Sequence, residues 1–136
     1  MKRWLTMITS LLVAVSAFAQ QQPPTPEELE KQLMEYVDKE VQRLSGMLKL
    51  EYWQEFYVDS TLVHDLHAMQ DEMKGLQEKK VANVDMYTAV GDKWQEQIYD
   101  TYHKFFTDEQ WERYLKSGAA RDKKARDKRK AKLEKK

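Results

Sequence analysis

The chain has 136 residues, of which 34% are charged, and its 23 basic and 23 acidic residues leave a formal net charge of zero. It contains no cysteine, which excludes a disulfide framework and a bacterial lipoprotein, since lipidation needs a cysteine at the cleavage site. Four glycines, three prolines and little β-branched content favour an all-α fold of a single domain.

The first 19 residues have the pattern of a secretory signal peptide. Met1–Arg3 is positively charged, the following run to Ala17 is apolar, and Ala17-Phe18-Ala19 is a typical cleavage site. The apolar run is shorter than the roughly 20 residues that a membrane span needs. The sequence therefore predicts export to the periplasm and a mature chain that begins at Gln20.

Helical signals follow one another along the mature chain. After a spacer at 20–24 that is predicted to be disordered, Thr25 is a good cap for a first helix, which we expect Gly46 to end. A second helix is predicted from about Glu51 to Lys80, with a heptad-like seam of Leu62, Leu66, Met69, Met73 and Leu76. A third, capped by Asp85, should run to about Phe105. The length of the second helix indicates an extended shape or a dimer.

A fourth helix is predicted to start at Phe106–Tyr114. Thr107 is a favourable N-cap, and Gln110, three residues later, can complete a capping box by reaching back to the Thr107 amide. Phe106 and Trp111 flank this cap at the spacing of a hydrophobic staple. The stretch therefore predicts a corner between two helices.

A similar corner precedes the second helix. Leu50-Glu51-Tyr52-Trp53-Gln54 keeps the apolar residue and the glutamine, although Glu51 stands where a threonine would cap. Together with Phe106-Thr107-Asp108-Glu109-Gln110, 56 residues later, it resembles the paired Leu-Thr-x-x-Gln motifs of the Spy/CpxP-like periplasmic proteins. The resemblance covers about Leu44 to Tyr114.

The resemblance implies a thin, curved homodimer of extended helical hairpins that binds unfolded or partly folded proteins without ATP. On this basis we expect a periplasmic chaperone or envelope-stress protein. Six motif residues would form structural corners: Leu50, Gln54, Phe106, Thr107, Gln110 and Trp111. The candidate client contacts are apolar residues of the long second helix: Phe56, Leu62, Leu66, Met69 and Met73.

Two alternatives remain open at this stage. The first, again by resemblance to CpxP-like members, is a regulatory adaptor that docks on the sensor domain of a signalling kinase. The second is a sensor or buffer for a divalent transition metal, because His64, His67 and Asp71 share one helix face, which His103 could join. No catalytic constellation and no Gly-rich phosphate loop is visible, so we expect neither an enzyme nor an organic cofactor.

Charge divides the mature chain into an acidic body and a basic tail. Residues 20–115 contain 10 basic and 20 acidic residues, whereas residues 116–136 contain 11 and 3. We therefore expect a helical domain at 25–117 and a tail at 118–136, either helical or disordered. The tail is expected to solubilise the protein or to contact an anionic surface, such as lipid headgroups, lipopolysaccharide phosphates or a second subunit, whereas export argues against nucleic acid.

Overall fold

A computed structural model describes residues 22–136, and these form four helical segments without a strand among them. The first three are α1 (Pro26–Leu48), α2 (Tyr52–Glu78) and α3 (Val84–Phe105). The fourth is bent, and consists of α4 (Asp108–Tyr114), a π-helical turn (Leu115–Ala119) and α5 (Ala120–Glu134). The all-α prediction is thus confirmed for this range, in which no helix has both the length and the apolar character to cross a bilayer. The predicted signal peptide lies outside the described residues.

The chain divides into two units, Met1–Gln32 and Leu33–Lys136. In the described part of the first unit, Thr25 caps the start of α1 as predicted. The Glu28 amide donates to Thr25 Oγ1 at 3.2 Å, and the Thr25 amide donates to Glu28 Oε2 at 2.9 Å. This reciprocal pair satisfies two backbone donors that the first helical turn leaves without partners.

Two helices of the second unit end at lysines rather than at glycines. The prediction that Gly46 ends the first helix is wrong, since α1 continues to Leu48 and the chain turns at Lys49, which has φ 52°. Lys80, with φ 55°, plays the same part after α2. At both ends the next amide donates to a carbonyl five residues earlier, as in a Schellman motif.

The start of α3 also differs from its prediction. Asn83, not Asp85, is the N-cap, and its side-chain oxygen accepts a hydrogen bond from the Asp85 amide at 3.0 Å. Asp85 is instead the acidic residue of the first turn, where its charge is favourable to the helix dipole.

In the second unit, α2 and α3 pack antiparallel as a helical hairpin. Gln54 at the start of α2 bonds to Phe105 at the end of α3, and Glu72 further along α2 bonds to the Trp94 indole at 3.1 Å. The heptad-like seam of α2 lies on the inner side of this hairpin. A single core cluster joins α1, α2, α3 and the corner after α3: Leu33, Val37, Leu44, Leu48, Val58, Leu62, Leu66, Ile98, Tyr102 and Phe106. Trp111 and Tyr114 of the fourth segment are half-buried against this cluster.

The basic tail is a helix that packs on α3. Arg126 Nε lies 3.0 Å from Glu96 Oε2, and Arg129 Nε lies 2.7 Å from Asp92 Oδ2. The chain reaches this position by a bend at Gly118, which has φ 121° inside the π-helical turn. Of the two alternatives for the tail, the structure therefore shows the helix.

Tyr102→Phe is expected to raise the free energy of unfolding by up to about 1 kcal/mol. The ring is buried and stacks on Phe106 with 5.0 Å between centroids, but the hydroxyl has no hydrogen-bond partner in residues 22–136. Phenylalanine keeps the ring contacts and removes a desolvated polar group. Urea unfolding measures the change in stability, with Tyr99→Phe as the control variant. A midpoint of Tyr102→Phe below that of the native chain would contradict the expectation.

Alkaline pH is expected to destabilise the fold through its buried phenols. Burial raises the pKa of Tyr114 to about 12 and that of Tyr102 well above its usual range. The phenols of the unfolded chain titrate near pH 10, so the native state binds more protons from there to about pH 12. The free energy of unfolding should therefore fall in this window, by less than about 2 kcal/mol for the half-buried Tyr114. Urea midpoints between pH 9 and 12 for the native chain and for Tyr114→Phe provide the check, and equal slopes would refute it.

Candidate functional site

The two predicted corners, far apart in sequence, meet in space through their glutamines. Gln54 Nε2 donates to Gln110 Oε1 at 2.7 Å, and Gln110 Nε2 donates back to Gln54 Oε1 at 3.0 Å. Both side chains are buried. This reciprocal pair, the glutamine clasp, joins the start of α2 to the start of α4.

Each member of the glutamine clasp also closes its own corner. Gln110 Oε1 accepts from the Thr107 backbone amide at 2.9 Å, and the Gln110 backbone amide donates to Thr107 Oγ1 at 3.2 Å. These two hydrogen bonds confirm the predicted capping box. In the other corner Gln54 Oε1 accepts from the Glu51 amide at 2.9 Å. Gln54 Nε2 has a further acceptor in the Phe105 carbonyl at 3.0 Å, so the Gln54 side-chain amide uses both of its N–H donors and accepts twice at its oxygen, all with protein partners.

Thr107→Ala is expected to lower the free energy of unfolding by about 1 kcal/mol, because the Gln110 amide loses its side-chain acceptor. The measurement is the urea midpoint, and Thr88→Ala, an exposed threonine inside α3, is the matched control. If the two variants unfold at the same denaturant concentration, the Thr107 hydroxyl does not stabilise the corner.

Beside the glutamine clasp, the start of α2 exposes four aromatic side chains. Their exposed fractions are 90% for Tyr52, 47% for Trp53, 67% for Phe56 and 52% for Tyr57. Positions 52, 53, 56 and 57 share one side of the helix. We call these four residues the aromatic patch. Three of them are in ring contact, since the centroids of Trp53 and Tyr57 are 5.9 Å apart and those of Phe56 and Tyr57 are 6.1 Å apart, and Tyr52 lies one helical turn before Phe56.

The aromatic patch rests on the end of α3. Phe105 lies 5.7 Å from the Tyr57 ring and 6.3 Å from the Trp53 ring, and on its other side it contacts the buried Phe106 at 5.1 Å. The Trp53 indole donates to the Glu51 carboxylate at 2.6 Å, which orients that ring. A buried aromatic core thus supports an exposed aromatic surface.

The structure corrects most of the predicted client contacts. Leu62 and Leu66 are core residues, because the seam they belong to faces the hairpin interior. Met69 is half-buried against the same core, and Met73 Cε lies 3.7 Å from the position that a Cβ would take at Gly91 of α3. Phe56 alone among the five candidates is an exposed residue of the aromatic patch.

The remaining motif residues serve the corners. Leu50 is half-buried against the core, and Phe106 is buried in it. Trp111 stacks on His103 with 4.1 Å between ring centroids. Phe106 and Trp111, the predicted staple pair, each contact the Tyr114 ring, at 5.7 and 5.4 Å.

The two histidines of α2, His64 and His67, are not arranged with other ligands of the described range as a metal site would require. His64 is exposed, and its Nδ1 lies 2.7 Å from Oδ1 of the buried Asp65, a carboxylate that the metal hypothesis did not include. Asp71 is exposed, and His67 is half-buried. Within residues 22–136 no group of three or more His, Cys, Asp or Glu side chains is arranged to hold a metal ion. Metal binding by His64, His67 and Asp71 therefore stays a prediction without geometric support.

Comparison with known proteins adds no further constraint: no protein-family model, curated protein or solved structure matches this chain.

Sequence reasoning did not single out the aromatic patch as the exposed surface, although a signal was present. The heptad-like seam of α2 already predicts which side of the helix packs. Tyr52, Trp53 and Tyr57 lie off that seam, and therefore away from the side of α2 that packs into the hairpin core.

Proposed function

We propose that this protein binds unfolded or partly folded proteins without ATP, as a chaperone of the cell envelope. The observation that carries the proposal is the aromatic patch, four large side chains that are about half to nine-tenths exposed at one end of the α2–α3 hairpin. Contiguous exposed apolar groups with polar surroundings mark protein interaction surfaces. The resemblance to Spy/CpxP-like proteins points to the same activity.

The chemistry of the aromatic patch suits many weak contacts rather than one exclusive partner. Tyrosine and tryptophan combine a large apolar area with a polar group and lose little side-chain entropy on binding. Carboxylates of Glu51, Glu55 and Asp59 lie along the same stretch of α2 and keep the surface soluble. An extended chain segment could therefore pack its apolar residues on the aromatic rings and pair its basic residues with the carboxylates.

The test is suppression of aggregation of two unrelated denatured enzymes by the purified chain in the absence of ATP. Near-stoichiometric suppression of both is expected. Because Tyr52 and Phe56 are exposed, Tyr52→Ser with Phe56→Ser should keep the fold while reducing suppression several-fold. The matched control is Val84→Ser with Met86→Ser, two exposed apolar residues at the opposite end of the hairpin, and this variant should act like the native chain.

Failure to suppress either enzyme, or equal loss in both double variants, would contradict the proposal. Binding of a single partner with a saturable stoichiometry would favour the regulatory adaptor of a sensor kinase instead. The homodimer implied by the resemblance remains a prediction, and sedimentation of the native chain and of the Tyr52/Phe56 variant tests whether the aromatic patch is a subunit interface.

A further inference from the structure

The face of α5 that points away from α3 carries four lysines in a row. Lys124, Lys128 and Lys132 of α5 and Lys135 at its C-cap, together the lysine stripe, fall within a sector of about 80° and span about 17 Å along the helix axis. All four side chains are exposed, and none of their ammonium groups forms an ion pair or hydrogen bond with another residue of the range 22–136. The stripe is therefore a surface of uncompensated positive charge.

The cations of α5 that pair with carboxylates of α3 are not free to bind another partner. Arg126, the most buried of these cations, pairs with Glu96, and its guanidinium lies over the Tyr99 ring at 5.5 Å. Arg129 makes two hydrogen bonds to Asp92, at 2.7 and 2.8 Å. These contacts hold the helix by its other face, so the lysine stripe is presented outward on a fixed support.

We propose that the lysine stripe binds the surface of an anionic lipid bilayer. A row of lysines on one helix face places all its charges at a flat layer of headgroups at once, and each contributes about 1 kcal/mol near an anionic membrane. The stripe contains no apolar residue, so α5 rests on the headgroups instead of inserting between the lipids. Binding then depends on charge alone and is sensitive to salt.

Geometry favours a bilayer over a nucleic acid or a second copy of the chain. The acids of α5 (Asp122, Asp127 and Glu134) lie about 60–80° outside the sector of the stripe. A flat surface meets the stripe alone, whereas a nucleic-acid groove that encloses the helix would also meet these acids and the carboxylates of α3. A second copy carries Glu51, Glu55 and Asp59 at a similar spacing, but Glu51 already accepts a hydrogen bond from the Trp53 indole, Glu55 accepts one from the Ser45 hydroxyl, and Glu55 and Asp59 are half-buried, so this row is a poorer partner for the lysine stripe than a layer of headgroups.

The test is partition of the full chain onto phosphatidylcholine vesicles with and without phosphatidylglycerol. Binding to the neutral vesicles measures any contribution of the N-terminal apolar run, and the difference between the two vesicles measures the charge-dependent part. We expect that part to fall at least about tenfold when NaCl is raised from about 0.05 to 0.5 M. Equal binding to both vesicles would overturn the proposal.

Substitutions distinguish the effect of the lysine stripe on membrane binding from the effect of the protein's net charge. Lys124→Gln, Lys128→Gln and Lys132→Gln together should lower the charge-dependent partition about 100-fold, whereas the three arginine replacements should retain it. The control has the same charge change at exposed lysines of the body: Lys39→Gln, Lys74→Gln and Lys79→Gln. Circular dichroism verifies that all variants keep their helices. Three results would overturn the proposal. The first is an equal loss of partition in the stripe and control variants. The others are tighter binding to duplex DNA than to vesicles of equal phosphate concentration, and self-association without vesicles that depends on the stripe.

Discussion

Gln110→Ala is expected to lower the free energy of unfolding by about 3–4 kcal/mol, several times the effect of an ordinary surface substitution. The change removes both hydrogen bonds of the glutamine clasp and the acceptor of the Thr107 amide. It also leaves the buried Gln54 amide with unpaired groups, whose desolvation is then uncompensated. Urea unfolding followed by circular dichroism gives the value, and Gln77→Ala, an exposed glutamine near the end of α2, is the control.

A double-mutant cycle distinguishes the glutamine clasp from two independent corners. If Gln54 and Gln110 stabilise each other, Gln54→Leu with Gln110→Leu should cost less than the sum of the two single variants, by about 1–3 kcal/mol. Each single variant leaves the other glutamine's buried side-chain amide without its partner, whereas the double variant leaves no such amide, and the loss of the acceptors for the Glu51 and Thr107 backbone amides is the same in the double variant as in the two singles combined. Strict additivity would show that each glutamine serves only its own helix start. The same variants also test how the clasp supports the aromatic patch, since Gln54 lies among the patch residues on α2.

Gly118→Ala is expected to destabilise the docked position of α5 by about 2–3 kcal/mol. Gly118 has φ 121° and ψ −12°, a backbone conformation that a Cβ makes unfavourable for any other residue. The added Cβ would also lie 3.3 Å from Arg121 Nη2. The variant should therefore straighten the π-helical turn and separate α5 from α3, with loss of the Arg126–Glu96 and Arg129–Asp92 pairs.

Amide hydrogen exchange measures this effect, because α5 should lose protection while α2 keeps it. Gly46→Ala is the matched control. Gly46 lies inside α1 with no atom near the position of a new Cβ, so the same change there should stabilise the protein by about 0.5–1 kcal/mol. Unchanged protection of α5 in Gly118→Ala would show that the bend does not depend on glycine.

Local sequence signals located the helices because they act within a few residues. Thr25 and Thr107 cap the helices that they were predicted to cap, because the hydroxyl of an N-cap residue lies within hydrogen-bonding distance of the backbone amide three residues later. Prediction failed where two local options competed. Asn83 and Asp85 are both good caps, and Gly46 has helix-ending potential that the packing of Leu44 and Leu48 overrides.

By itself, the sequence determined the all-α class, the two corner motifs and the division into an acidic body and a basic tail. Spacing and composition are sufficient for these, because capping and helical periodicity are short-range. Only the tertiary structure decided that the two corners share one buried glutamine pair, that Leu62 and Leu66 are core, and that Tyr52 to Tyr57 expose the aromatic patch. It also decided which lysines face outward on α5. Each of these depends on which helix covers which face, and that choice is made by contacts between residues distant in sequence.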